Sequence, residues 1–77
     1  MKLTWRRTWP HKLTDGTGTH PAHPTLCARV YLEPDGRRWF WVVNETRLIA
    51  QGLANTKEDA KASAETAASQ WAEMKQQ

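Results

Sequence analysis

Arg38-Trp39-Phe40-Trp41-Val42-Val43 is the stretch whose reading decides the fold. Aromatic and β-branched residues run together there, which suits a pleated strand whose side chains alternate between two faces. It reads as the central strand of a small antiparallel sheet. Before it, Thr25 to Glu33 alternates Leu26, Ala28, Val30 and Leu32 with Cys27, Arg29, Tyr31 and Glu33, the pattern of a second strand. The two are joined by Glu33-Pro34-Asp35-Gly36, which suits a type I turn with glycine in a following left-handed position.

Pairing Glu33 with Arg37 across that turn sets Tyr31 opposite Trp39, Val30 opposite Phe40, Arg29 opposite Trp41 and Ala28 opposite Val42. This register predicts an apolar face of Ala28, Val30, Leu32, Phe40 and Val42. The other face then carries Arg29, Tyr31, Trp39 and Trp41.

After a turn near Asn44-Glu45-Thr46, Arg47 to Leu53 reads as a third strand, its register open by one residue, so that either Leu48 or Ile49 faces the core. Thr56-Lys57-Glu58-Asp59 has the form of a helix N-cap with acidic residues in the first turn. Ala60, Ala64, Ala67, Trp71 and Met74 then form one stripe at helical spacing, with Lys57, Lys61, Glu65 and Gln70 on a solvated face. The helix is expected to fray near Gln76 and Gln77.

Upstream, residues 1–9 alternate as a short edge strand or an extended basic arm carrying Arg6 and Arg7, ended by Pro10. Residues 10–24 hold Gly16, Gly18, Pro21 and Pro24 with little apolar content, and are expected to be a mobile loop. The remaining 25–75 form the core of a single α+β domain. It is a three-stranded antiparallel sheet, four-stranded if the N-terminal segment joins it, with one C-terminal helix on one face.

The order Trp39 to Val43, then Leu48 to Gly52, then Thr56 and Glu58-Asp59-Ala60 opening an alanine-rich helix, resembles the plant ethylene-response type of DNA-binding domain. It is also similar to the arm-binding domain of tyrosine recombinases, over about Leu26 to Trp71. The resemblance implies a sheet backed by one helix that lays its open face into the major groove and reads bases with Arg and Trp. Those domains carry more Arg on that face and have no counterpart of residues 10–24. Short bacteriophage-encoded proteins also share the Trp-rich strand and alanine-rich helix.

The 77 residues bound the function as well as the fold. A domain of this size has a small core and little room for a deep cleft. Its net charge of +3 and pI of ≈ 9.4 are compatible with nucleic acid. One Cys excludes an internal disulfide, and no apolar run has the length of a signal segment or a bilayer span, so a cytoplasmic protein with no membrane partner is expected.

His11, His20, His23 and Cys27 are of zinc-ligating types but lack two short ligand motifs held across a stable turn, so no metal is expected, nor any other cofactor. Asp15, Asp35 and Asp59 fall at loop, turn and cap positions, and no nucleophile with an orienting base is legible, so no enzymatic activity is expected.

The expected function is DNA binding through the open face that carries Arg29, Tyr31, Trp39, Trp41 and Arg47, with phosphates held by Arg6, Arg7, Arg29, Arg37, Arg38 and Arg47. The alternative is a phage-encoded module that binds a host protein, such as a defence complex, through the same Trp-rich face. A homodimer that buries two open faces is also compatible with the pattern. Against all three stands a plainer outcome, in which Leu3, Trp5 and Trp9 cover Trp39 and Trp41 as a second small core.

Overall fold

The computed structural model describes residues 1–75. Its elements are β1 (Thr4–Arg6), β2 (Asp15–Thr19), β3 (Leu26–Leu32), β4 (Trp39–Glu45), β5 (Arg47–Ala54) and α1 (Lys57–Lys75). The strands form one antiparallel sheet in the order β1-β2-β3-β4-β5, so every neighbour in sequence is a neighbour in space. The class is the expected α+β, but the sheet has five strands rather than three or four, and β3 lies at its centre.

The additional strand is β2, in the stretch expected to be a mobile loop. Gly16 pairs with Val30 and Gly18 with Ala28, and on the other side Gly18 pairs with Trp5 of β1. Glycines leave a groove in the sheet surface, and neighbours fill it: a Cβ on Gly18 would lie 3.0 Å from the Trp5 ring, and one on Gly16 would lie 3.2 Å from Val30. Poor apolar content did not prevent order here, because the apolar atoms come from the flanking strands.

The largest difference lies at the β3–β4 turn. Gly36 N–H donates to the Glu33 carbonyl at 2.8 Å, and Gly36 is left-handed at φ 73, as expected. Arg37 N–H, however, donates to the Asp35 carboxylate at 2.9 Å rather than to β3. Glu33 N–H therefore takes the carbonyl of Arg38, at 2.8 Å. The loop is one residue longer, and every side chain of β4 changes face. Leu32 pairs with Trp39, Tyr31 with Phe40, Val30 with Trp41, Arg29 with Val42 and Ala28 with Val43.

The face covered by α1 thus carries Trp39, Trp41 and Val43 beside Ala28 and Val30. Phe40 and Val42 lie on the other side. This corrects the expected faces of Trp39 and Trp41, and of Phe40 and Val42.

The core is built of Leu3, Leu26, Ala28 and Val43 against Ala64, Ala67 and Ala68, with Trp5, Trp41, Ile49, Ala50 and Trp71 packed around it. Alanines on α1 bring the helix close to the sheet, and the large side chains come from the strands. The plainer expectation is therefore met in part: Leu3 and Trp5 do pack with Trp41, but within the one core beneath α1. Trp9 stays exposed.

Trp41 lies over Gly52 of β5, where an added Cβ would come within 2.9 Å of the indole. A bulge between Val43 and Asn44 shifts the β4–β5 register, and Ile49 packs on the core while Leu48 is exposed. Asp59 N–H donates to the Thr56 hydroxyl at 3.0 Å, the expected cap. The helix stripe is Ala60, Ala64, Ala67, Ala68 and Ala72; Met74, expected on it, is 74% exposed. Glu65, expected on the solvated face, accepts from Leu3 N–H at 2.8 Å and from the Trp5 indole N–H at 3.2 Å, fastening the start of the chain to the helix. The expected fraying at Gln76 and Gln77 lies outside the described residues.

Candidate functional site

With one helix on one side, the other side of the sheet carries no helix among the described residues, and Thr8 shelters only its Asp15 and Thr17 part. Alternation and register place Asp15 and Thr17 of β2, Cys27, Arg29 and Tyr31 of β3, Phe40, Val42 and Asn44 of β4, and Gln51 and Leu53 of β5 on it. Toward its end at the β3–β4 turn Tyr31 and Phe40, directly opposite on adjacent strands, hold their rings 5.0 Å apart at 34°. The Arg29 guanidinium carbon lies 6.0 Å from the Tyr31 ring centre. Both rings are half-buried, so part of each is open to solvent.

Arg29 is oriented from β2. Its Nη2 donates to the Asp15 carboxylate at 3.0 Å, and the Thr8 hydroxyl donates to the other Asp15 oxygen at 2.8 Å. The Arg29 side chain is 43% accessible and that of Asp15 only 12%, so the pair is a surface cation anchored on a sheltered anion. Arg29 Nε is buried with no partner among the described residues. Asp15, expected as a plain loop residue, is the group that fixes Arg29. Its signal was hidden because residues 15–19 did not read as a strand.

The nine expected contact residues divide. Arg29 and Tyr31 stand on the open face as expected. Arg6, paired with Thr17, shares their side at the β1 edge, and Arg38, two residues before Phe40, is exposed at the other end. Arg37 is exposed on the turn, and Arg7 donates to the Pro10 carbonyl at 3.2 Å, away from the ring pair. Arg47 pairs with Glu45 at the sheet edge and lines a groove beside α1. Trp39 and Trp41 are on the helix side.

Lys57 of α1 sits 5.5 Å over Trp39 and donates to the Leu13 carbonyl at 2.8 Å. Burial, reinforced by Lys61 and Arg7, lowers its pKa from the ordinary lysine value, with Glu58 and Asp15 opposing. Phe40 is the contact candidate that sequence reasoning missed, and the Asp35 carboxylate, well placed to capture Arg37 N–H, is the signal that would have found it.

His20 and His23 hold their rings 5.5 Å apart, and His23 meets the Trp71 ring edge-on at 5.3 Å. Among the described residues no three His, Cys, Asp or Glu side chains come together as a metal site, and no helix is long and apolar enough to cross a membrane. The chain matches no protein-family model, no curated protein and no solved structure.

Proposed function

We propose that the chain is a non-enzymatic nucleic-acid-binding module that takes single-stranded DNA on its uncovered sheet face. Bases stack on Tyr31 and Phe40, and Arg6, Arg29 and Arg38 hold the backbone. The observation that carries this reading is the pair of part-exposed rings side by side with a guanidinium beside them. Every base has a π-face, and arginine supplies both phosphate contact and stacking.

Width favours a single strand over duplex. Four gaps between five strands span roughly 19 Å, whereas the major groove is about 12 Å wide. A three-stranded sheet fits that groove; this one does not lie flat in it.

The test is fluorescence anisotropy with labelled oligo-dT and a labelled random duplex over a range of salt concentrations. Expected are tighter binding to the single strand and affinity that falls steadily with salt. Tyr31→Leu with Phe40→Leu keeps apolar bulk in the strands but removes the π-faces, and is expected to weaken binding at least about tenfold. Binding by neither DNA at low salt rejects the reading.

Val42 and Leu53 continue the ring pair toward β5 as apolar surface, with Leu53, directly opposite Phe40, 48% exposed. That favours the second reading, a protein-binding module using the same face. Its mark is binding indifferent to salt.

A further inference from the structure

The two edges of the sheet are unlike. The β1 edge has three residues and is followed by Pro10, whereas the β5 edge has eight, with no proline, and no charge after Arg47. Long uncharged edges are normally blunted, because their outward N–H and C=O groups accept another strand. Here the edge is also bordered by a groove, since α1 lies over β3, β4 and β5 and leaves hollows between itself and the helix-side face of β4 and β5.

The groove has two chambers, both broadly open to solvent. One of ≈ 420 Å³ is lined by Trp41, Ala50, Ala67 and the small helix residues Ala62, Ser63 and Thr66, with no charged group in its lining. The next, ≈ 560 Å³, shares Ala50, Ala67 and Gln70 with it and extends past Ile49 and Trp71 to Arg47 and Lys75. The Trp41 indole, packed over Gly52, borders the first chamber, and its Nε1 has no hydrogen-bond partner among the described residues. At the far end Lys75 lies 4.9 Å from the Trp71 ring centre, and Glu45 is engaged by the Thr25 hydroxyl at 2.9 Å. Neither Arg47 nor Lys75 has a carboxylate partner among the described residues.

We infer that the β5 edge and its groove bind an extended peptide, added as a sixth antiparallel strand, whose alternate apolar side chains enter the two chambers and whose acidic C-terminal end lies at Arg47 and Lys75. Strand addition supplies main-chain hydrogen bonds, and chambers beside the edge select side chains about 6.6 Å apart, the spacing of every second residue. Antiparallel pairing places the peptide's C-terminus at the start of β5, where the two cations are. A second copy of the chain is a poor occupant. Its own β5 offers Ala50, Gly52 and Ala54 toward the helix side, too small to fill the chambers, and its Ile49 is already packed against its own core. The groove is on the side of the sheet away from Tyr31 and Phe40, so this inference stands apart from the nucleic-acid reading.

The experiment is NMR titration of the full ¹⁵N-labelled chain with a panel of acetyl-Thr-Xaa-Thr-Xaa-Thr-Val-Asp peptides bearing free C-termini, Xaa being Val, Leu or Phe. Expected are saturable shifts of the Trp41 and Trp71 indole N–H signals and of β5 amides, with slowed exchange of amides on the outer edge. A proline in the middle of the best peptide is expected to abolish them. Arg47→Glu with Lys75→Glu, both at exposed positions, is expected to weaken that peptide about tenfold or more. Unchanged binding by the proline peptide or by the double variant overturns the inference, as does absence of any shift with the whole panel at about 1 mM. So do shifts confined to the Tyr31 and Phe40 face, or a free chain already dimeric with its β5 amides protected.

Discussion

Trp41 shows how one residue's role turns on one hydrogen bond elsewhere. On the open face it would be a contact side chain, and its removal would leave the fold intact. Beneath α1 and over Gly52, it closes the core. Trp41→Ala is therefore expected to cost roughly 2–4 kcal/mol in chemical denaturation, and Gly52→Ala roughly 1–3 kcal/mol, because its Cβ would meet the indole at 2.9 Å. Arg29→Ala is not innocent either. It strands the sheltered Asp15 carboxylate, with a cost of about 1 kcal/mol given Arg29's exposure. In the opposite direction, Thr46 is a β-branched residue held at φ 59. Thr46→Gly removes a steric clash that L-residues suffer there and is expected to raise stability by roughly 0.5–1 kcal/mol. A loss of stability on that substitution would mean that the Thr46 hydroxyl, 2.6 Å from the Glu45 carbonyl, contributes more than the strain costs.

The β3–β4 hairpin and α1 were both legible in the sequence as elements, and for good reason: Pro34 and Gly36 mark the turn, and Thr56 with the alanine spacing marks the helix. What period-two alternation leaves undetermined is the loop length, since β4 has large apolar side chains on both faces. Trp39, Trp41 and Val43 suit the core as well as Phe40 and Val42 do. The choice is made by Asp35, whose carboxylate takes Arg37 N–H and adds Arg37 to the loop. Deleting Arg37 tests this. A three-residue loop of Pro34-Asp35-Gly36 still sets Glu33 opposite Arg38 and leaves β4 on its native faces, whereas a turn that demands four residues takes in Arg38 and turns Trp39 and Trp41 outward, which the core cannot accept without losing its largest side chains. The expected result is a retained cooperative unfolding transition with dispersed indole N–H signals, because Pro34 and Gly36 suit a three-residue loop. Loss of both would show that the turn demands four residues. β2 was illegible for a different reason. Asp15 to Thr19 contains no large apolar residue, and its order comes from Trp5 and Val30, which no local window includes.

At the scale of the whole molecule, the sheet is a simple meander, so most strand pairings are local and the exception is closure between the chain's first and last elements. Leu3 is 7% exposed in the core, Trp5 covers Gly18, and Glu65 of α1 takes hydrogen bonds from both. Lys61 also lies 5.5 Å over the Trp5 ring. The N-terminal segment is thus a structural strap rather than a free basic arm, and its weight can be judged against the total. A chain of 77 residues has roughly 4–12 kcal/mol of net stability at typical values per residue. Losing the buried Leu3 and the half-buried Trp5 removes about 3–5 kcal/mol, before the unpaired Glu65 is considered. Truncation of residues 2–6 is therefore expected to leave a domain at the margin of folding, with a melting midpoint lowered by well over 10 °C on the usual scaling for this size. Glu65→Ala, which keeps both apolar side chains but removes their shared acceptor, is expected to cost only about 1–2 kcal/mol. Thermal and urea unfolding of the two variants separates the contributions. If Glu65→Ala is as damaging as the truncation, the carboxylate organises the N-terminal strand; if the truncation is as mild as Glu65→Ala, the core beneath α1 closes without Leu3 and Trp5.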